Sequence, residues 1–319
     1  MITIKSPSRL HLTLIDLNAQ LGRVDGGAGI SIESPHVIIS AEKSDTIEVI
    51  GDSFLAERMI SAVKQVLPEG EGISLKIEED MLAHVGFGSG TQAALSAAAA
   101  VNELYGLGKS VRELAISVGR GGTSGIGVAS FEMGGFIVDG GHKFSDKGSF
   151  SPSSASRADP APVLFRNDFP DWNIVLALPD TTGAHDAKEV NIFQKECPIP
   201  LSEVQELSHI ILMKMMPAIM EQDIEAFGYC INHIQSLGFK QREVALQHQV
   251  VRDVMTLMQD NGAYGAGMSS FGPAVYGIVG NPEDAVYLQE DVQELLDRTI
   301  GGKVLVTKAN NTGAEIRRV

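Results

Sequence analysis

The chain has 319 residues, of which 44% are hydrophobic and 20% are charged, and its net charge is −15. This length predicts about two domains, and this composition is ordinary for a globular protein with a buried core. The acidic balance argues against nucleic acids or anionic membrane surfaces as partners, because phosphate groups demand a basic face.

Neither a disulfide framework nor a membrane segment is predicted. The two cysteines, Cys197 and Cys230, are too few for such a framework in a chain of this length. The longest apolar run, residues 93–101, is far shorter than the roughly 20 residues of a membrane span. The first residues read as a strand, without the basic segment and apolar core of a signal peptide. We therefore predict a cytoplasmic protein.

The first third of the chain is predicted to be rich in strands and the next part rich in helices. Short β-type runs occur at residues 2–4, 10–15, 30–32, 37–40 and 47–50. An apolar stripe at helical spacing predicts a helix over residues 53–67, and residues 73–77 alternate like a strand. The pattern then predicts an Ala-rich helix at 91–104, a helix at 111–118, a Gly-rich turn at 119–127 and a hairpin at 128–138.

A stretch rich in Ser, Pro, Asp and Gly, residues 140–171, predicts a domain boundary, and we assign residues 1–160 and 161–319 to the two domains. The second half is predicted to contain a strand at 174–178, helices at 201–220, 224–237 and 242–260, a strand at 275–279, a helix at 283–298 and a strand at 303–306. Strands that precede helices within each half favour an α+β fold over a doubly wound sheet.

The strongest local motif is Gly86-Phe-Gly-Ser-Gly90, which leads directly into the Ala-rich helix. The amides of a first helical turn have no intrahelical partner and carry partial positive charge, and glycines let the backbone wrap a phosphate closely. The hydroxyls in this segment are also candidate ligands for Mg2+. The predicted phosphate contacts are Gly86, Gly88, Ser89, Gly90 and Thr91, with Ser89 and Thr91 as the candidate metal ligands. A glycine turn that only caps the helix is the alternative interpretation.

Two motifs near the N-terminus carry candidate catalytic residues. In Ser-Pro-Ser-Arg-Leu-His, the alternation of a strand places Arg9 and His11 on one face, where Arg9 is suited to hold a carboxylate or phosphate. In Leu-Gly-Arg-Val-Asp-Gly-Gly, clustered glycines surround Arg23 and Asp25, which suggests a loop whose backbone approaches a ligand. A solvated edge strand and a flexible hairpin are the respective alternatives.

Two motifs in the second half add further candidates. The small residues of Gly-Ala-Gly-Met-Ser-Ser-Phe-Gly-Pro suggest a loop near a ligand, with Ser269 and Ser270 as phosphate contacts. In Thr-Thr-Gly-Ala-His-Asp-Ala-Lys-Glu, after a buried strand, His185 and Glu189 are candidates for an acid, a base or a metal ligand. A simple connection and a structural histidine are the alternatives.

Taken in order, the motifs resemble those of the GHMP kinase superfamily. Ser6-Pro-Ser-Arg-Leu-His11 resembles its first motif, Val85-Gly-Phe-Gly-Ser-Gly-Thr-Gln-Ala-Ala94 its phosphate-binding motif, and Gly265-Ala-Gly-Met-Ser-Ser-Phe-Gly272 its third motif. The resemblance spans the whole chain. It implies a two-domain GHMP-kinase fold of the α+β class, with an N-terminal mixed α/β domain, a C-terminal ferredoxin-like domain and an active site between them.

One position departs from the kinases of that superfamily. The turn after their second helix usually reads Ser-Gly-x-Asp, and its Asp acts on the acceptor hydroxyl, whereas this chain reads Ser124-Gly-Ile-Gly127. Glycine neither accepts a proton through a side chain nor ligates a metal with one. Those kinases also tend to carry a second Ser where Gly90 stands. An ATP-dependent GHMP-type kinase of a small alcohol is the alternative function, because phosphoryl transfer depends chiefly on positioning and charge stabilisation.

The chain is more closely similar to the family of archaeal β-ribofuranosylaminobenzene 5′-phosphate synthases of methanopterin biosynthesis. The similarity is carried by residues 7–17 with 21–27, by 86–92 and by 120–127. That family lacks the kinase Asp as well. The resemblance implies a phosphoribosyl transferase that joins phosphoribosyl pyrophosphate to 4-aminobenzoate or 4-hydroxybenzoate, releases CO2 and pyrophosphate, and forms a C-riboside. It also implies a need for Mg2+, no organic cofactor, and a homodimer.

For that reaction, the glycine-rich amides together with Ser89 and Thr91 are expected to stabilise the departing pyrophosphate. The hypothetical roles of the other candidates are to hold the carboxylate or the 5′-phosphate (Arg9 and Arg23), to move protons near the ring (His11 and His185), and to ligate Mg2+ (Asp25 or Glu189).

Overall fold

The structure is a computed structural model that describes residues 1–81, 85–152, 155–156, 158–181 and 187–318, with the backbone alone for residues 187–190. The strands are β1 (Ile2–Asp16), β2 (Arg23–Ser44), β3 (Ile47–Ile50), β4 (Gly72–Glu79), β5 (Phe136–Asp139), β6 (His142–Lys143), β7 (Val163–Asn167), β8 (Asn173–Pro179), β9 (Gly265–Met268), β10 (Val275–Val279), β11 (Gly302–Thr307) and β12 (Glu315–Arg318).

The helices are α1 (Ala56–Val66), α2 (Ser89–Tyr105), α3 (Val111–Ser117), α4 (Ile126–Met133), α5 (Phe144–Lys147), α6 (Ala187–Glu196), α7 (Leu201–Ile210), α8 (Met216–Glu221), α9 (Ile224–Ile234), α10 (Gly238–Ala245), α11 (Gln249–Asp260) and α12 (Pro282–Asp297). A π-helical turn, Ile211–Met215, joins α7 to α8, so the long helix predicted over residues 201–220 is confirmed with a local widening. Of the helices that the structure describes, none combines the length and the apolar character that crossing a bilayer takes.

The first sheet is built around two long antiparallel strands. Among the described residues it has eight strands, with the main path β12-β1-β2-β4-β3; β5 and β6 pair with β2, and β7 pairs with β5. The short runs predicted near the N-terminus merge into β1 and β2. The register shifts between Ser6 and Ser8, so that Pro7 and residues 33–36 of β2 lie outside the regular ladder. A proline fits within a strand at such a bulge because no amide donor is needed there.

Helix α2 packs at the centre of this part of the molecule. Its side chains from Gln92 to Val101 are all buried, and it contacts α1, α4, β1 and β2. Alanine favours a helix and leaves it thin, so neighbouring elements approach closely on every side. Gly88 before the helix and Gly106 after it both have left-handed backbones, which suit glycine. The N-terminus of α2 therefore lies at a fixed position beside β1.

The second sheet has the order β11-β8-β10-β9, with every pairing antiparallel. Along the chain its strands and the helices α11 and α12 follow the order β-α-β-β-α-β, which is the ferredoxin-like arrangement. The α+β class and the ferredoxin-like second unit are confirmed. The division at residue 160 stays a prediction; β7 and β12, which lie beyond it, pair with the first sheet.

Two predicted elements were wrong. The hairpin predicted at 128–138 is helix α4 followed by β5, with Gly134 and Gly135 at positive φ between them. Because α4 is buried nearly all round, its sequence shows no amphipathic period. The single helix predicted at 242–260 is two helices, α10 and α11. His248 begins the second one by accepting a hydrogen bond from the amide of Val250 (3.2 Å).

Candidate active site

A glycine loop, residues 86–88, lies between strand β1 and a serine loop, residues 269–272. The carbonyl of Gly86 accepts hydrogen bonds from Arg9 Nη1 and from Ser269 Oγ. A Cβ on Gly86 would lie 2.4 Å from the carbonyl oxygen of Ser269, and its φ is +103°. Only glycine fits there, because both the space and the backbone conformation exclude a side chain. The three motifs that were predicted to form one site are therefore in direct contact.

The glycine loop presents the start of helix α2. The carbonyl of Gly88 accepts from the amides of Thr91 (2.9 Å) and Gln92 (3.2 Å). Within the described residues the amides of Ser89 and Gly90 have no such acceptor, and the hydroxyls of Ser89 and Thr91 likewise make no hydrogen bond. Unpaired first-turn amides favour an anion. This geometry supports the predicted anion contacts in this segment, whose roles remain a proposal.

Two arginines beside this helix start were not predicted. The guanidinium of Arg58, on α1, lies 3.7–4.0 Å from where a Cβ of Gly90 would be. Arg120 lies near Arg58, and burial together with that second cation lowers the pKa of Arg120 to about 10. The Arg120 Nε is buried and has no hydrogen-bond partner in the described part of the chain. A buried guanidinium nitrogen without a partner, close to a second cation, makes Arg120 a candidate contact for an anion.

We expect Arg120→Gln to weaken the binding of inorganic pyrophosphate about 10- to 100-fold, because a charge-assisted hydrogen bond contributes roughly 1.5–3 kcal/mol. Titration calorimetry measures this directly. Arg112→Gln, on the exposed face of α3, is the matched control and should bind as the wild type does. Equal affinity in all three proteins would show that Arg120 does not contact the anion.

Helix α10 supports the serine loop through the side chain of Lys240. Lys240 Nζ donates to the carbonyls of Met268 (3.2 Å) and Ser270 (3.0 Å) and lies 2.5 Å from the Glu243 carboxylate. From the opposite side, the amide of His11 donates to Ser269 Oγ (3.0 Å). Both side chains of the Lys240–Glu243 pair are fully buried. The hydroxyl of Ser269 is thus engaged by protein groups, and Ser270 contributes its amide to the carbonyl of His11.

His11 has an unusual environment. Its side chain is buried, and neither ring nitrogen has a hydrogen-bond partner within the described residues. Burial lowers the pKa of His11 well below its usual range, and the nearby cations Arg9 and Lys240 lower it further. The imidazole is therefore neutral at physiological pH, with one donor and one acceptor nitrogen.

Asp139, at the end of β5, faces His11 and was missed from the sequence. Its carboxylate accepts from the amides of Gly125 (3.0 Å) and Gly141 (2.9 Å). Burial raises the pKa of Asp139 to about 6, even though these two amides favour the charged form. A carboxyl that titrates near neutral pH inside a site is a candidate acid or base. No sequence signal marked it, because its burial and its neighbours are set by contacts between residues distant in sequence.

The free energy of unfolding should depend on pH through Asp139. Its pKa is about 6 in the folded protein and about 3.9 in an unfolded chain, so folding takes up a proton between these values. Its contribution to stability is fully present below about pH 4 and is lost as pH rises through about 6. We expect the difference in stability between wild type and Asp139→Ala to fall by about 2 kcal/mol from about pH 4.5 to about pH 7. Urea denaturation measures it. Ser96→Ala, a buried neutral control, should show a difference independent of pH.

Asp25 belongs to a separate buried cluster. Its carboxylate binds His142 Nδ1 (2.7 Å) and Lys147 Nζ (2.7 and 2.8 Å). Lys147 also donates to Thr123 Oγ1 (3.1 Å), and His142 Nε2 bonds the carbonyl of Gly121 (3.0 Å). These contacts tie β2 and β6 to the loop that carries Arg120. The structure thus places Asp25 as an anchor of that loop, with its oxygens already paired.

The remaining predicted residues lie apart from this cluster or outside the described residues. Arg23 donates to the carbonyls of Gly140 and Gly141, both at 2.8 Å, and so supports the turn that follows Asp139. His185 lies outside the described residues, and so does the side chain of Glu189.

The position of the missing kinase Asp is filled by another side chain. A Cβ on Gly127 would lie 3.2 Å from Thr91 Cγ2 and 3.5 Å from Thr91 Cβ. The Gly127 carbonyl also accepts from Gln92 Nε2 at 2.8 Å, which fixes the two segments together. An aspartate at this position would require Thr91 to move. The acceptor-activating group of the kinases is therefore absent, and Thr91 packs closely against its position.

The candidate metal ligands at this site are oxygen atoms near the helix start. Among the described residues, no group of three or more His, Cys, Asp or Glu side chains is arranged to hold a metal ion. Mg2+ is commonly bound through one or two protein oxygens, water and the phosphates of a substrate. The unengaged hydroxyls of Ser89 and Thr91 fit that mode of binding.

Comparisons with known proteins agree along the whole chain. The pattern of the GHMP kinases N terminal domain matches residues 55–135, and that of the GHMP kinases C terminal domain matches residues 215–298. The chain is 47% identical to a β-ribofuranosylphenol 5′-phosphate synthase of Archaeoglobus fulgidus over 99% of both chains. It is also 47% identical to the protein of that name from Methanothermobacter thermautotrophicus, over 98% of both chains.

Among solved structures, the homoserine kinase of Cytophaga hutchinsonii superposes with a TM-score of 0.68 at 18% identity, covering 99% of this chain and 97% of that one. At this identity the likeness concerns the fold.

Proposed function

Because the chain belongs to the β-ribofuranosylphenol 5′-phosphate synthase family of the GHMP kinase superfamily, we propose that it catalyses decarboxylating C-ribosylation of a para-substituted benzoate by phosphoribosyl pyrophosphate. The products are CO2, pyrophosphate and an aryl C-riboside 5′-phosphate, formed in methanopterin biosynthesis. The observation that carries this proposal is the 47% identity, which extends over essentially the whole of both chains.

The acceptor we propose is 4-hydroxybenzoate. The relatives are named for a phenol product, which a para-hydroxyl acceptor gives and 4-aminobenzoate does not. Both acceptors carry a group that donates electrons to the ring, so chemistry alone permits either. Direct competition between the two acceptors decides the preference.

The anion-binding groups of the site suit a donor with two charged ends. Free amides at Ser89 and Gly90, together with Arg58 and Arg120, form one positive region, and Arg9 forms another at the foot of the glycine loop. Phosphoribosyl pyrophosphate carries a 5′-phosphate and a pyrophosphate, and each needs such a region. We assign the departing pyrophosphate to the helix start, where fixed amides stabilise developing negative charge.

The proposed reaction breaks the bond between the anomeric carbon and the pyrophosphate oxygen, and that oxygen takes the bonding pair. The ring carbon that bears the carboxylate then bonds to the anomeric carbon. Loss of CO2 returns the carbon–carbon pair to the ring and restores its aromaticity. The electrons come from the para substituent, so no organic cofactor is required. The protein's main contribution is to align the two substrates, which by itself lowers the barrier substantially.

Mg2+ is part of the proposal, held by the substrate's phosphates with the hydroxyls of Ser89 and Thr91. When bound there it neutralises charge on the pyrophosphate. The homodimer implied by the family resemblance and the cytoplasmic location predicted from the sequence also stay predictions.

Glycine at position 127 disfavours the alternative, an ATP-dependent kinase, since the aspartate that activates an acceptor hydroxyl is absent and Thr91 packs against its position. The deciding experiment is the release of labelled CO2 from carboxyl-labelled 4-hydroxybenzoate, with Mg2+ and phosphoribosyl pyrophosphate present. Release that requires both substrates supports the proposal. If neither 4-hydroxybenzoate nor 4-aminobenzoate gives labelled CO2, and the protein consumes ATP in the presence of an alcohol, the kinase is favoured.

A further inference from the structure

His11 is a buried side chain without a partner. It is 4% exposed, and within the described residues neither ring nitrogen forms a hydrogen bond. Most buried polar atoms in proteins have a hydrogen-bond partner, because an unpaired one destabilises the fold. Its main chain, by contrast, is fully engaged: the amide donates to Ser269 Oγ and the carbonyl accepts from the amide of Ser270. The imidazole is therefore held in place by its backbone, while both of its buried ring nitrogens lack a hydrogen-bond partner within the described residues.

Three polar atoms from different elements converge beside Gly27 of β2. The point where a Cβ of Gly27 would lie is 3.2 Å from His11 Nε2, 3.3 Å from Asp139 Oδ2 and 3.3 Å from Ser124 Oγ. Ser124 Oγ donates to Asp139 Oδ2 (3.4 Å) and accepts from the amide of Ile126 (3.2 Å). Because residue 27 is glycine, it contributes no side chain at this point. The sheet and the loop before α4 thus bring an imidazole, a carboxylate and a hydroxyl within 3.3 Å of one point beside Gly27.

The three polar groups beside Gly27 complement the para substituent of the aromatic acceptor better than its carboxylate. A neutral imidazole, a carboxylate and a hydroxyl complement a group that both donates and accepts hydrogen bonds, such as a hydroxyl or an amine. A carboxylate would be repelled by Asp139. The charged end of a hydroxybenzoate or aminobenzoate therefore points away from the cluster, and its para substituent points into it.

We propose that His11, Asp139 and Ser124 bind the para substituent of the aromatic acceptor, and that His11 Nε2 takes the hydroxyl proton during carbon–carbon bond formation. This inference rests on the proposed function. It fixes the orientation of the acceptor and assigns a base that neither the names of the relatives nor their fold provides.

The proton transfer balances over the reaction. When His11 Nε2 accepts the proton, the O–H bonding pair becomes an oxygen lone pair that feeds into the ring. The ring carbon para to it forms the bond to the anomeric carbon as the pyrophosphate leaves. After CO2 departs, the phenolate oxygen takes the proton back from the imidazolium. No oxidant or reductant is consumed. Asp139, which faces the ring, stabilises the transient imidazolium, and Ser124 positions the oxygen.

The test compares two acceptors in wild type, His11→Phe and His11→Gln, by labelled CO2 release. A phenol must lose its proton to become a strong donor of electrons, whereas an aniline nitrogen already has its lone pair available. We expect His11→Phe to lose about 100-fold or more with 4-hydroxybenzoate, which is the usual contribution of a general base, and clearly less with 4-aminobenzoate. His11→Gln preserves a polar, buried group and guards against misfolding as the cause.

Ser130→Ala removes another buried, unpaired polar group of this core and should leave the rates with both acceptors unchanged. Pyrophosphate affinity should be the same in all variants, because the anion groups are untouched. Equal losses with both acceptors, or wild-type rates in both His11 variants, would overturn the inference while leaving the proposed function intact. If the wild type releases no CO2 from either acceptor, the proposed function itself fails and this inference falls with it.

Discussion

Replacement of Arg9 by alanine is expected to reduce CO2 release about 100- to 1,000-fold while the protein stays folded. That range is the cost of removing one preorganised donor from a site where charge develops. Arg9 is on the same face of β1 as His11, and its guanidinium donates to the carbonyl of Gly86. Its amide also donates to the carbonyl of Phe87 (3.2 Å), so the glycine loop is pinned to this residue twice.

Arg9 is expected to act both through charge and through position. A Cβ on Gly88 would lie 3.1–3.3 Å from atoms of the Arg9 side chain, which therefore packs directly against the backbone that begins α2. Removing the side chain takes a positive charge out of the proposed phosphoribosyl pyrophosphate site. It also removes a contact that fixes the glycine loop and, with it, the position of the first amides of α2. Both effects weaken the hold on an anion.

Three variants separate these contributions. Arg9→Lys keeps the charge but not the planar fork, and we expect an intermediate loss. Lys5→Ala, on the same strand and partly exposed, is the control and should keep wild-type turnover. Circular dichroism and the melting temperature confirm folding in each case. Turnover of Arg9→Ala within threefold of wild type would remove this residue from the proposed mechanism.

The parts of the site that could be predicted from sequence are those built from short, local motifs. Gly86-Phe-Gly-Ser-Gly90 before an Ala-rich helix specifies its own geometry, because glycine conformations and helix amides are set within a few residues. Arg9 and His11 share a face through strand alternation alone. The ferredoxin-like order of the second unit followed from the family resemblance of the motifs rather than from any one of them.

The parts that could not be predicted depend on contacts between distant residues. Asp139 ends a strand, and nothing nearby in sequence shows that it will face His11. Arg58 lies on the exposed face of α1, and only the packing of α1 against α2 places it beside Gly90. Asp25 had the right residue type for a ligand, yet tertiary contacts pair it with His142 and Lys147. Burial and pairing are tertiary properties, so residue type alone does not decide them.

The second large effect is expected at the buried ion pair beneath the serine loop. We expect Lys240→Met to lower the free energy of unfolding by about 3–5 kcal/mol, because it leaves the Glu243 carboxylate buried without its cation. Lys240 is 0% exposed and Glu243 2%, so neither charge reaches water. Burial alone lowers the pKa of Lys240 and raises that of Glu243, and each charge opposes this effect on the other.

The double variant Lys240→Met/Glu243→Leu should recover most of that stability, since apolar side chains of similar size commonly replace a buried pair at little cost. Urea denaturation of the wild type, both single variants and the double variant gives the coupling energy. Lys76→Ala, which breaks the exposed pair with Glu78, is the control and should change stability little. Additive losses in the cycle would show that the two charges are not coupled.

In the double variant, we expect stability to be restored but activity to remain reduced. Lys240 also donates to the carbonyls of Met268 and Ser270, and methionine cannot replace those bonds. The serine loop then loses its support, and with it the bond from Ser269 to Gly86 that helps to fix the glycine loop. We therefore expect a stable protein with reduced CO2 release and a raised KM for phosphoribosyl pyrophosphate. Full activity at restored stability would mean that the ion pair serves folding alone. Lost activity would show that α10, remote in sequence from the glycine loop, keeps the anion site in shape.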